Sequence, residues 1–316
     1  MKKLIALVLA LTLCLSFAAC GGNNTAGNGA ASGDDETFQV GICQLMVHDS
    51  LDQATKGFQD ALTEAMTKAG KTVTFDLQVA GEANLCTTVI NTFTAKNVDL
   101  IMANATPALL AAANATEKIP VLGTSVTDYN DTFAGSIPEN VSGTSDAVPF
   151  AEQAQMMIET LNLVEGDKVG VLYCINESNS KIQYEAVKAL FEEKKIVVEA
   201  YTFSEVTELQ ALVTSMTESC KAVYVPSDNT VAQNDSIVGN ICSDKKIPVY
   251  TSYGGAVCYA SLAIDYYQLG VETGKMAAEV LLGTAKVADL EVKTLTPTTV
   301  YNEELCNALG IAVPEK

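Results

Sequence analysis

Apolar and polar positions along this chain alternate between two kinds of segment. Short runs rich in Val, Ile and aromatic residues are typical of strands, and they lie at 38–45, 73–79, 99–104, 120–125, 168–176, 197–203, 222–227 and 248–252. Longer amphipathic runs are typical of helices, and they lie at 51–69, 85–96, 107–118, 150–161, 181–194, 207–220 and 230–245. Strands that alternate with helices of this length predict parallel sheets with right-handed crossovers, covered by helices on both faces.

A coarse internal repeat divides the chain into two halves. The segment DLIMANATP followed by IPVLGTS in the first half matches AVYVPSDNT followed by IPVYTS in the second. Each copy predicts a strand, a polar turn, a helix and a strand that begins with Ile-Pro-Val. The repeat predicts an α/β protein with two doubly wound parallel sheets, the first half ending near Val141 and the second beginning near Gly143. A strand at 262–264, a helix at 268–282 and a final segment at 298–309 complete the pattern.

The segment MKKLIALVLALTLCLSFAACGG at the start of the chain differs from the rest. Two lysines precede an apolar run at 4–15 that is too short to span a bilayer, and this pattern predicts an export signal. The small residues before Cys20 resemble a bacterial lipobox, which implies that residues 1–20 are a lipoprotein signal peptide and that Cys20 becomes lipidated. An ordinary signal peptide with a chance cysteine is the alternative. Residues 21–37 are rich in Gly, Asn and Ala, and they predict a flexible tether.

The composition narrows the classes of partner. Apolar residues make up 48% of the chain, which is enough for a large core. Acidic residues outnumber basic ones by 38 to 19, so the formal net charge is −19 at pH 7. Such a chain is not expected to bind nucleic acid, or to dock on anionic lipid through charge. All 19 basic residues are Lys, so a ligand carboxylate would be held by backbone N–H groups, hydroxyls or Lys instead of an arginine fork.

Cysteine and histidine usage argues against a disulfide framework and against a metal site. Beyond Cys14 and Cys20 the chain holds seven cysteines, an odd number with wide spacings and no CxxC motif. The only histidine is His48, and no cysteine pair has the spacing of zinc ligands. The sequence therefore predicts neither a bound metal nor a cofactor.

Residues that follow the predicted strands are the candidates for a binding site, because ligands of open parallel sheets bind beyond the carboxyl ends of the strands. In the first half these residues are Gln44, Leu45, His48, Thr106 and Ser125. In the second half they are Asn179, Asp228, Asn229, Tyr253 and Asp265. Thr106 and the proline after it form a favourable helix N-terminus, which offers free N–H groups to an anion.

The same residues leave other roles open. A helix cap at Asp228 or Asn229, a plain loop position for His48 and core packing for Tyr253 are the structural alternatives. If the chain were an enzyme, Asp228 and Asp265 would form an acid/base pair. However, the sequence contains no histidine-based triad and no GxSxG, Walker A or GxGxxG motif. A binding protein without catalytic activity is therefore expected.

Several segments carry a more specific signal, and they are GICQLMVHDSLDQATKGFQDAL, IPVLGTSVTD, NVSGTSDAVPF, YVPSDNTVA, IPVYTS and AIDYYQLGVETGKMAAEVLLG. Together they resemble the extracytoplasmic solute-binding protein family that serves ABC importers of aromatic amino acids. The resemblance implies a type I periplasmic-binding-protein fold, in which a three-strand hinge joins two lobes and the cleft between them closes on ligand. The lobes are then expected at 38–141 with 266–292, and at 142–265 with 293–316.

The combined expectation is an extracytoplasmic receptor, anchored to the cell membrane by lipid at Cys20, that delivers a small solute to an ABC permease and its ATPase. The preferred ligand is a zwitterionic aromatic amino acid. Its carboxylate would be held by Thr106 and Ser125, and its ammonium group by Asp265, with Asp228 as a mixed cap and ligand contact. A nucleoside or purine ligand, a sensor that signals instead of importing, and a secreted hydrolase are the alternatives.

The lipobox-like spacing before Cys20 leads to a direct test. The Cys20→Ser variant lacks the thiol that accepts the lipid, so it should remain unprocessed or be released from the membrane, with solute binding intact. Membrane fractionation and mass spectrometry of the N-terminus measure both outcomes. A Cys20→Ser protein that is still cleaved, lipidated and membrane-bound would show that the anchor lies elsewhere.

Overall fold

Residues 37–314 are described by this computed structural model, and their strands are β1 Thr37–Gln44, β2 Thr72–Val79, β3 Leu100–Asn104, β4 Val121–Val126, β5 Val141–Ser145, β6 Lys168–Cys174, β7 Val197–Phe203, β8 Ala222–Val225, β9 Val249–Thr251, β10 Ala260–Ala263, β11 Lys293–Thr294 and β12 Thr298–Tyr301. The expected signal peptide, the lipidation site Cys20 and the tether up to residue 36 lie outside the described residues.

The described strands form two six-stranded sheets. The first has the order β11-β5-β4-β3-β1-β2, and the second has the order β12-β10-β9-β8-β6-β7. Neighbouring strands run parallel, except that β12 pairs antiparallel with β10 at the edge of the second sheet. The prediction of an α/β protein with two parallel sheets is therefore confirmed.

Helices connect the strands within residues 37–314, and they are α1 Asp49–Lys68, α2 Cys86–Lys96, α3 Thr106–Ala115, α4 Tyr129–Thr132, α5 Phe150–Thr160, α6 Ser178–Glu193, α7 Val206–Ser219, α8 Asn229–Gln233, α9 Asp235–Asp244, α10 Tyr266–Leu281 and α11 Glu303–Leu309. Two short 3₁₀ turns lie at Ala83–Leu85 and Val287–Asp289. The single helix expected at 230–245 is two helices, α8 and α9, which are separated at Asn234.

The burial of each strand follows from its place in the sheet. Every residue of β3 and β4 is buried, because these strands lie inside the first sheet with helices on both faces. The edge strand β2 instead alternates between exposed and half-buried positions. Continuous apolar runs in the sequence therefore indicate the central strands of the sheet. The candidate site was expected at the carboxyl ends of those strands.

Two strands of the first sheet were not anticipated from the sequence. β5 and β11 are short and polar, with the sequences VSGTS and KT, so neither has the apolar run by which the other strands are recognised. β11 pairs with β5 at Thr144 and Ser145. Residues 142–145 and 293–294 therefore belong to the first sheet, although the expected boundaries assigned them to the second lobe. The division into two lobes otherwise stays a prediction.

The chain passes between the two sheets at three places within the described residues. It leaves the first sheet after β5 and returns after β10 through α10, which packs beside β4 and β5. The third passage joins β11 to β12. These connections are the ones that the resemblance to a hinged, two-lobed fold implied.

Helices α1 and α10 pack against each other more extensively than any other pair of described elements. Their backbones approach so closely that a Cβ at Gly57 would overlap the carbonyl oxygen of Tyr267, and a Cβ at Gly270 would overlap that of Ala54. Only glycine fits at these two positions without moving one of the helices. The contact fixes how α1 and α10 lie relative to each other.

The seven cysteines between residues 37 and 314 are all buried and unpaired, as expected for small apolar side chains. Among the described helices, none is both long enough and apolar enough to cross a bilayer. The described histidines, cysteines and acidic residues also form no group of three that could hold a metal ion.

The helix contact can be tested by replacing Gly270. Ala normally stabilises a helix relative to Gly by about 1 kcal/mol, but the Gly270→Ala variant should lower the free energy of unfolding by about 1–3 kcal/mol because the added methyl group overpacks the contact. Denaturant titration measures the change. Glu279→Ala, at an exposed position of the same helix, is the control and should have little effect. A stabilised Gly270→Ala protein would contradict the close approach.

Candidate ligand-binding site

A cavity lies where the carboxyl ends of strands from both sheets meet. The first sheet contributes Ser125 at the end of β4, and the start of α1 contributes His48, Ser50 and Leu51. The connections between the sheets contribute Asp146 and Tyr266. The other lining residues follow strands of the second sheet or lie in its helices, and they are Asn179, Ser227, Asp228, Asn229, Ala232 and Tyr253.

The cavity is narrow. Its free volume is about 10 Å³, which is about the least space that holds one water molecule. Small-molecule sites usually enclose about 300–1,000 Å³. The walls must therefore move apart before a small ligand can reach the interior.

Three polar side-chain atoms of the cavity are buried without a hydrogen-bond partner among the described residues: Ser125 Oγ, Asn179 Oδ1 and the Tyr253 hydroxyl. Buried polar atoms nearly always have a partner, because desolvation without a hydrogen bond is unfavourable. Two larger grooves, beside α5 and beside β5, are lined by none of the unpartnered atoms found in the described residues. The unpartnered atoms therefore favour the narrow cavity as the site of a polar ligand.

Asp146 supplies the cavity with a buried carboxylate. Its Oδ1 accepts a hydrogen bond from Thr127 Oγ1 at 3.1 Å, and its Oδ2 accepts one from the Tyr266 hydroxyl at 2.9 Å. Burial raises the pKa of Asp146, while the hydrogen bonds from Tyr266 and Thr127 oppose the rise. No described lysine lines the cavity. Each oxygen keeps a free lone pair, so the carboxylate can accept hydrogen bonds from a ligand cation.

A second buried carboxylate, Glu177, organises the N-terminus of α8. Its Oε2 accepts from the backbone N–H of Asn229 at 2.9 Å and from Asn229 Nδ2 at 2.6 Å. Its Oε1 accepts from the backbone N–H and the hydroxyl of Thr230, both at 2.8 Å. Glu177 thereby satisfies N–H groups that a helix leaves free at its first turn. It also fixes the rotamer of Asn229, which lines the cavity.

His48 connects the first half of the protein to Asn229 in the second. Its Nε2 lies 3.1 Å from Asn229 Oδ1. Because the amide nitrogen of Asn229 already donates to Glu177, Asn229 Oδ1 is an acceptor, and His48 donates through Nε2–H. Burial lowers the pKa of His48, although Asn229, Glu177, Asp52 and Asp49 oppose this effect. His48 is therefore neutral in the folded protein at pH 7.

Asp228 lines the cavity, but its carboxylate is used by the protein itself. One oxygen accepts from the backbone N–H of Val231 at 2.9 Å, which makes Asp228 the N-cap of α8. The other accepts from the backbone N–H of Cys174 and from Ser180 Oγ, both at 2.8 Å. Burial and the nearby Glu177 raise the pKa of Asp228. The structure therefore favours the cap over the expected contact with a ligand ammonium group.

Asp265 does not line the cavity. It is exposed and caps α10 by accepting from the backbone N–H of Gln268 at 3.0 Å. The expectation that Asp265 binds a ligand ammonium group therefore has no support in this geometry. The rule about strand ends is sound, but the side chain of a helix cap turns back toward its own helix instead of toward the ligand.

The remaining expected residues divide between the cavity and its support. His48, Ser125, Asn179, Asn229 and Tyr253 line the cavity. Gln44 lies behind it, where its amide donates to the carbonyl of Met46 and to Asp52. Leu45 is fully buried in the core. Thr106 is buried outside the lining, and its hydroxyl has no partner among the described residues.

Six residues that line the cavity were not part of the site expected from the sequence, and they are Asp146, Tyr266, Ser50, Leu51, Ser227 and Ala232. Asp146 directly follows β5, so the strand-end rule would have found it if that short polar strand had been recognised. Tyr266 is the first residue of α10, and only the packing of that helix turns its side chain toward Asp146.

Comparisons with known proteins agree on one family. The family model described as ABC transporter substrate binding protein matches residues 39–316. A curated relative, the tyrosine-binding protein of Clostridioides difficile (strain R20291), is 34% identical over 326 residues, which cover 98% of this chain and 93% of the relative.

Two solved structures, one with a ligand and one ligand-free and open, allow the conformation of this chain to be compared. The ABC domain of Streptococcus pneumonia in complex with L-Trp has a TM-score of 0.81 at 33% identity, covering 89% of this chain and 97% of that chain. The ligand-free, open structure of a substrate-binding protein with adhesive properties from Clostridium difficile has a TM-score of 0.63 at 31% identity, covering 88% and 96%. Since the identities are similar, the scores indicate that this chain is arranged more like the complex than like the open structure.

The lowered pKa of His48 predicts how stability responds to acid. Below the ordinary histidine pKa of about 6.5, the unfolded chain binds a proton that the folded chain does not, so the free energy of unfolding falls as the pH falls. The His48→Gln variant keeps an N–H donor for Asn229 but does not titrate. Denaturant titrations at pH 7.5 and 5.5 should therefore show a smaller loss of stability in His48→Gln than in the parent. An equal loss in both would assign the effect to other groups.

Proposed function

This chain belongs to the family of ABC transporter substrate-binding proteins, and we propose that it captures a free aromatic amino acid in the cavity between its two sheets. Its fold is that of the type I periplasmic binding proteins. The proposal is supported by the relative named as tyrosine-binding and by the similar structure that holds L-Trp. It is also supported by the unpartnered polar atoms and the buried carboxylate of the cavity.

The ammonium group of the ligand binds to Asp146 in this proposal. The hydrogen bonds from Thr127 and Tyr266 orient the carboxylate and leave one lone pair on each oxygen. A buried carboxylate without a cation is unfavourable, and an ammonium group from the ligand would supply the missing charge. Asp146 therefore takes the role that the sequence had assigned to Asp265 and Asp228.

The carboxylate of the ligand binds to Ser125, with Thr106 behind it. The backbone N–H of Ala105 donates to the carbonyl of Thr124 at 3.0 Å, so the residues that follow, Thr106 and Ser125, are neighbours. Both hydroxyls are buried without partners among the described residues. Ser125 has a φ of 56°, an uncommon left-handed conformation for a residue other than glycine. Such strain is typical of residues that are held in place for binding.

The aromatic ring packs between apolar and aromatic side chains. Tyr253 and Tyr266 line the cavity together with Leu51 and Ala232, and these surfaces come from both halves of the protein. Aromatic rings bury a large area and pack well against other rings. A ligand held at one end by Asp146 and Ser125 would thus place its side chain among these residues.

Closure of the two halves around the ligand accompanies binding. His48 reaches Asn229, and Gln183 Nε2 reaches Thr127 Oγ1 at 3.3 Å, so hydrogen bonds join the two halves of the protein. The narrow cavity requires that these contacts open to admit ligand and form again afterwards. The closed form then delivers the amino acid to an ABC permease and its ATPase.

We also propose that lipidation of Cys20 anchors the protein to the outer face of the cell membrane.

The Asp146→Asn variant tests this function. A hydrogen bond to a charged group is worth about 1.5–3 kcal/mol and each 1.4 kcal/mol is tenfold, so the affinity for L-tyrosine and L-tryptophan should fall by roughly ten- to a hundredfold. Isothermal calorimetry after unfolding and refolding, which removes copurified ligand, measures the affinity. The melting temperature of the ligand-free protein should change little, because a lost hydrogen bond is offset by removal of a buried charge.

Asp265→Asn is the matched control for this experiment, since Asp265 is an exposed cap on the adjoining helix. It should bind amino acids like the parent. Unchanged affinity in Asp146→Asn, or an equal loss in Asp265→Asn, would contradict the assigned ammonium site. A parent protein that binds adenosine but no aromatic amino acid would contradict the ligand class.

A further inference from the structure

Asn179 presents the cavity with a hydrogen-bond acceptor that the protein leaves unused. Its Nδ2 donates to the carbonyl oxygen of Ser227 at 2.6 Å, and this bond fixes the orientation of the side-chain amide. Its Oδ1 is buried without a partner among the described residues, and the residue as a whole is only 4% exposed. An amide oxygen accepts hydrogen bonds but cannot donate them. A bound ligand must therefore bring an N–H or O–H group to satisfy it.

The position of Asn179 along α6 separates it from the ammonium site. Gln183 lies one helical turn further along, and its Nε2 donates to Thr127, which in turn donates to Asp146. Residues four apart on a helix have Cβ atoms about 5–6 Å apart. The ammonium and carboxylate groups of an amino acid share one carbon atom, so both lie close to Asp146 in the proposed binding mode. Asn179 is then within reach of the ligand side chain.

Tyr253 adds a second polar group on the same side of the cavity. Its hydroxyl is buried and has no partner among the described residues. A tyrosine hydroxyl can donate or accept a hydrogen bond, whereas Asn179 Oδ1 can only accept. A ligand that fills this narrow cavity leaves little room for a water molecule that could replace a ligand donor. Asn179 Oδ1 therefore requires a hydrogen-bond donor on the ligand, whereas the Tyr253 hydroxyl can bind either a donor or an acceptor.

We propose that Asn179 determines specificity, by selecting aromatic amino acids whose ring carries an N–H or O–H donor over those whose ring carries none. This proposal rests on the proposed function and deepens it. Tyrosine offers a phenolic hydroxyl and tryptophan an indole N–H, whereas the ring of phenylalanine leaves Asn179 Oδ1 buried and unpaired. Sites built to hydrogen-bond a ligand group discriminate strongly against analogues that lack it, because the polar group of the site then stays desolvated.

The parent protein provides the first measurement. Calorimetry with L-tyrosine, L-tryptophan, L-phenylalanine and 4-fluoro-L-phenylalanine should give at least tenfold tighter binding of the two ligands that carry a ring donor. The fluoro analogue has a substituent at the position of the tyrosine hydroxyl but cannot donate, so it separates hydrogen bonding from ring substitution. Equal affinity for tyrosine and phenylalanine would overturn the proposal without any variant being made.

The Asn179→Leu variant provides the second measurement, because leucine has a similar size and no acceptor. The preference for tyrosine over phenylalanine should fall to less than threefold, with the affinity for phenylalanine unchanged or higher. Asn176→Leu is the control, since Asn176 is an exposed residue of the turn before α6 and does not line the cavity, and it should keep the preference of the parent. A thermal melt of each variant confirms that it is folded.

The possible outcomes separate this inference from the function on which it rests. If Asn179→Leu weakens tyrosine and phenylalanine equally, Asn179 contacts the amino-acid backbone and the proposal is wrong, while the proposed function stands. If the variant does not fold, the ligand series on the parent decides alone. If the parent binds none of the four amino acids, both the specificity proposal and the proposed function are overturned.

Discussion

The close contact between α1 and α10 is the constraint on which the geometry of the site depends. Gly57 and Gly270 allow the backbones to approach to a distance that no larger residue permits. His48 stands immediately before α1, and Tyr266 is the first residue of α10. The same contact that buries the two helices therefore sets the positions of two side chains that line the cavity. A small displacement of either helix would move His48 relative to Asn229, or Tyr266 relative to Asp146.

Three buried carboxylates near the cavity differ in the donors from which they accept hydrogen bonds. Glu177 and Asp228 are occupied by donors of the protein, chiefly around the first turn of α8, so they stabilise the second half and position Asn229. The side chain of Asp146 accepts hydrogen bonds from two neutral hydroxyls and keeps a lone pair on each oxygen. All three are buried acids, so they differ in how many hydrogen-bond donors of the protein contact each carboxylate and not in burial. It explains why a cation from a ligand would be bound at Asp146 in particular.

The narrowness of the cavity connects binding to movement. Hydrogen bonds from His48 to Asn229 and from Gln183 to Thr127 join the two halves of the protein, and little space remains between the cavity walls. The stronger structural similarity to a complex with L-Trp than to an open, ligand-free protein is consistent with a closed arrangement. In the proposed binding mode the ligand would complete the interior of the protein, because it would supply partners for polar atoms that are otherwise unsatisfied.

The alternation of strands and helices could be predicted from the sequence because it depends on local periodicity. β7 was predicted at its observed residues, and most other strands differed by one or two residues at an end. The repeated halves and the rule about strand ends also led to His48, Ser125, Asn179, Asn229 and Tyr253, which line one cavity in the structure. These inferences needed only the direction of the chain at each strand.

The tertiary structure decided which polar groups are buried and which of them are free to bind a ligand. β5 is polar and short, so only its pairing with β4 and β11 makes it a strand and brings Asp146 to the cavity. Asp228 and Asp265 look alike in the sequence, yet one is a buried cap with several donors and the other an exposed cap. The burial of a carboxylate and its hydrogen-bond donors depend on groups that are far apart in the chain. They therefore cannot be predicted from the local sequence.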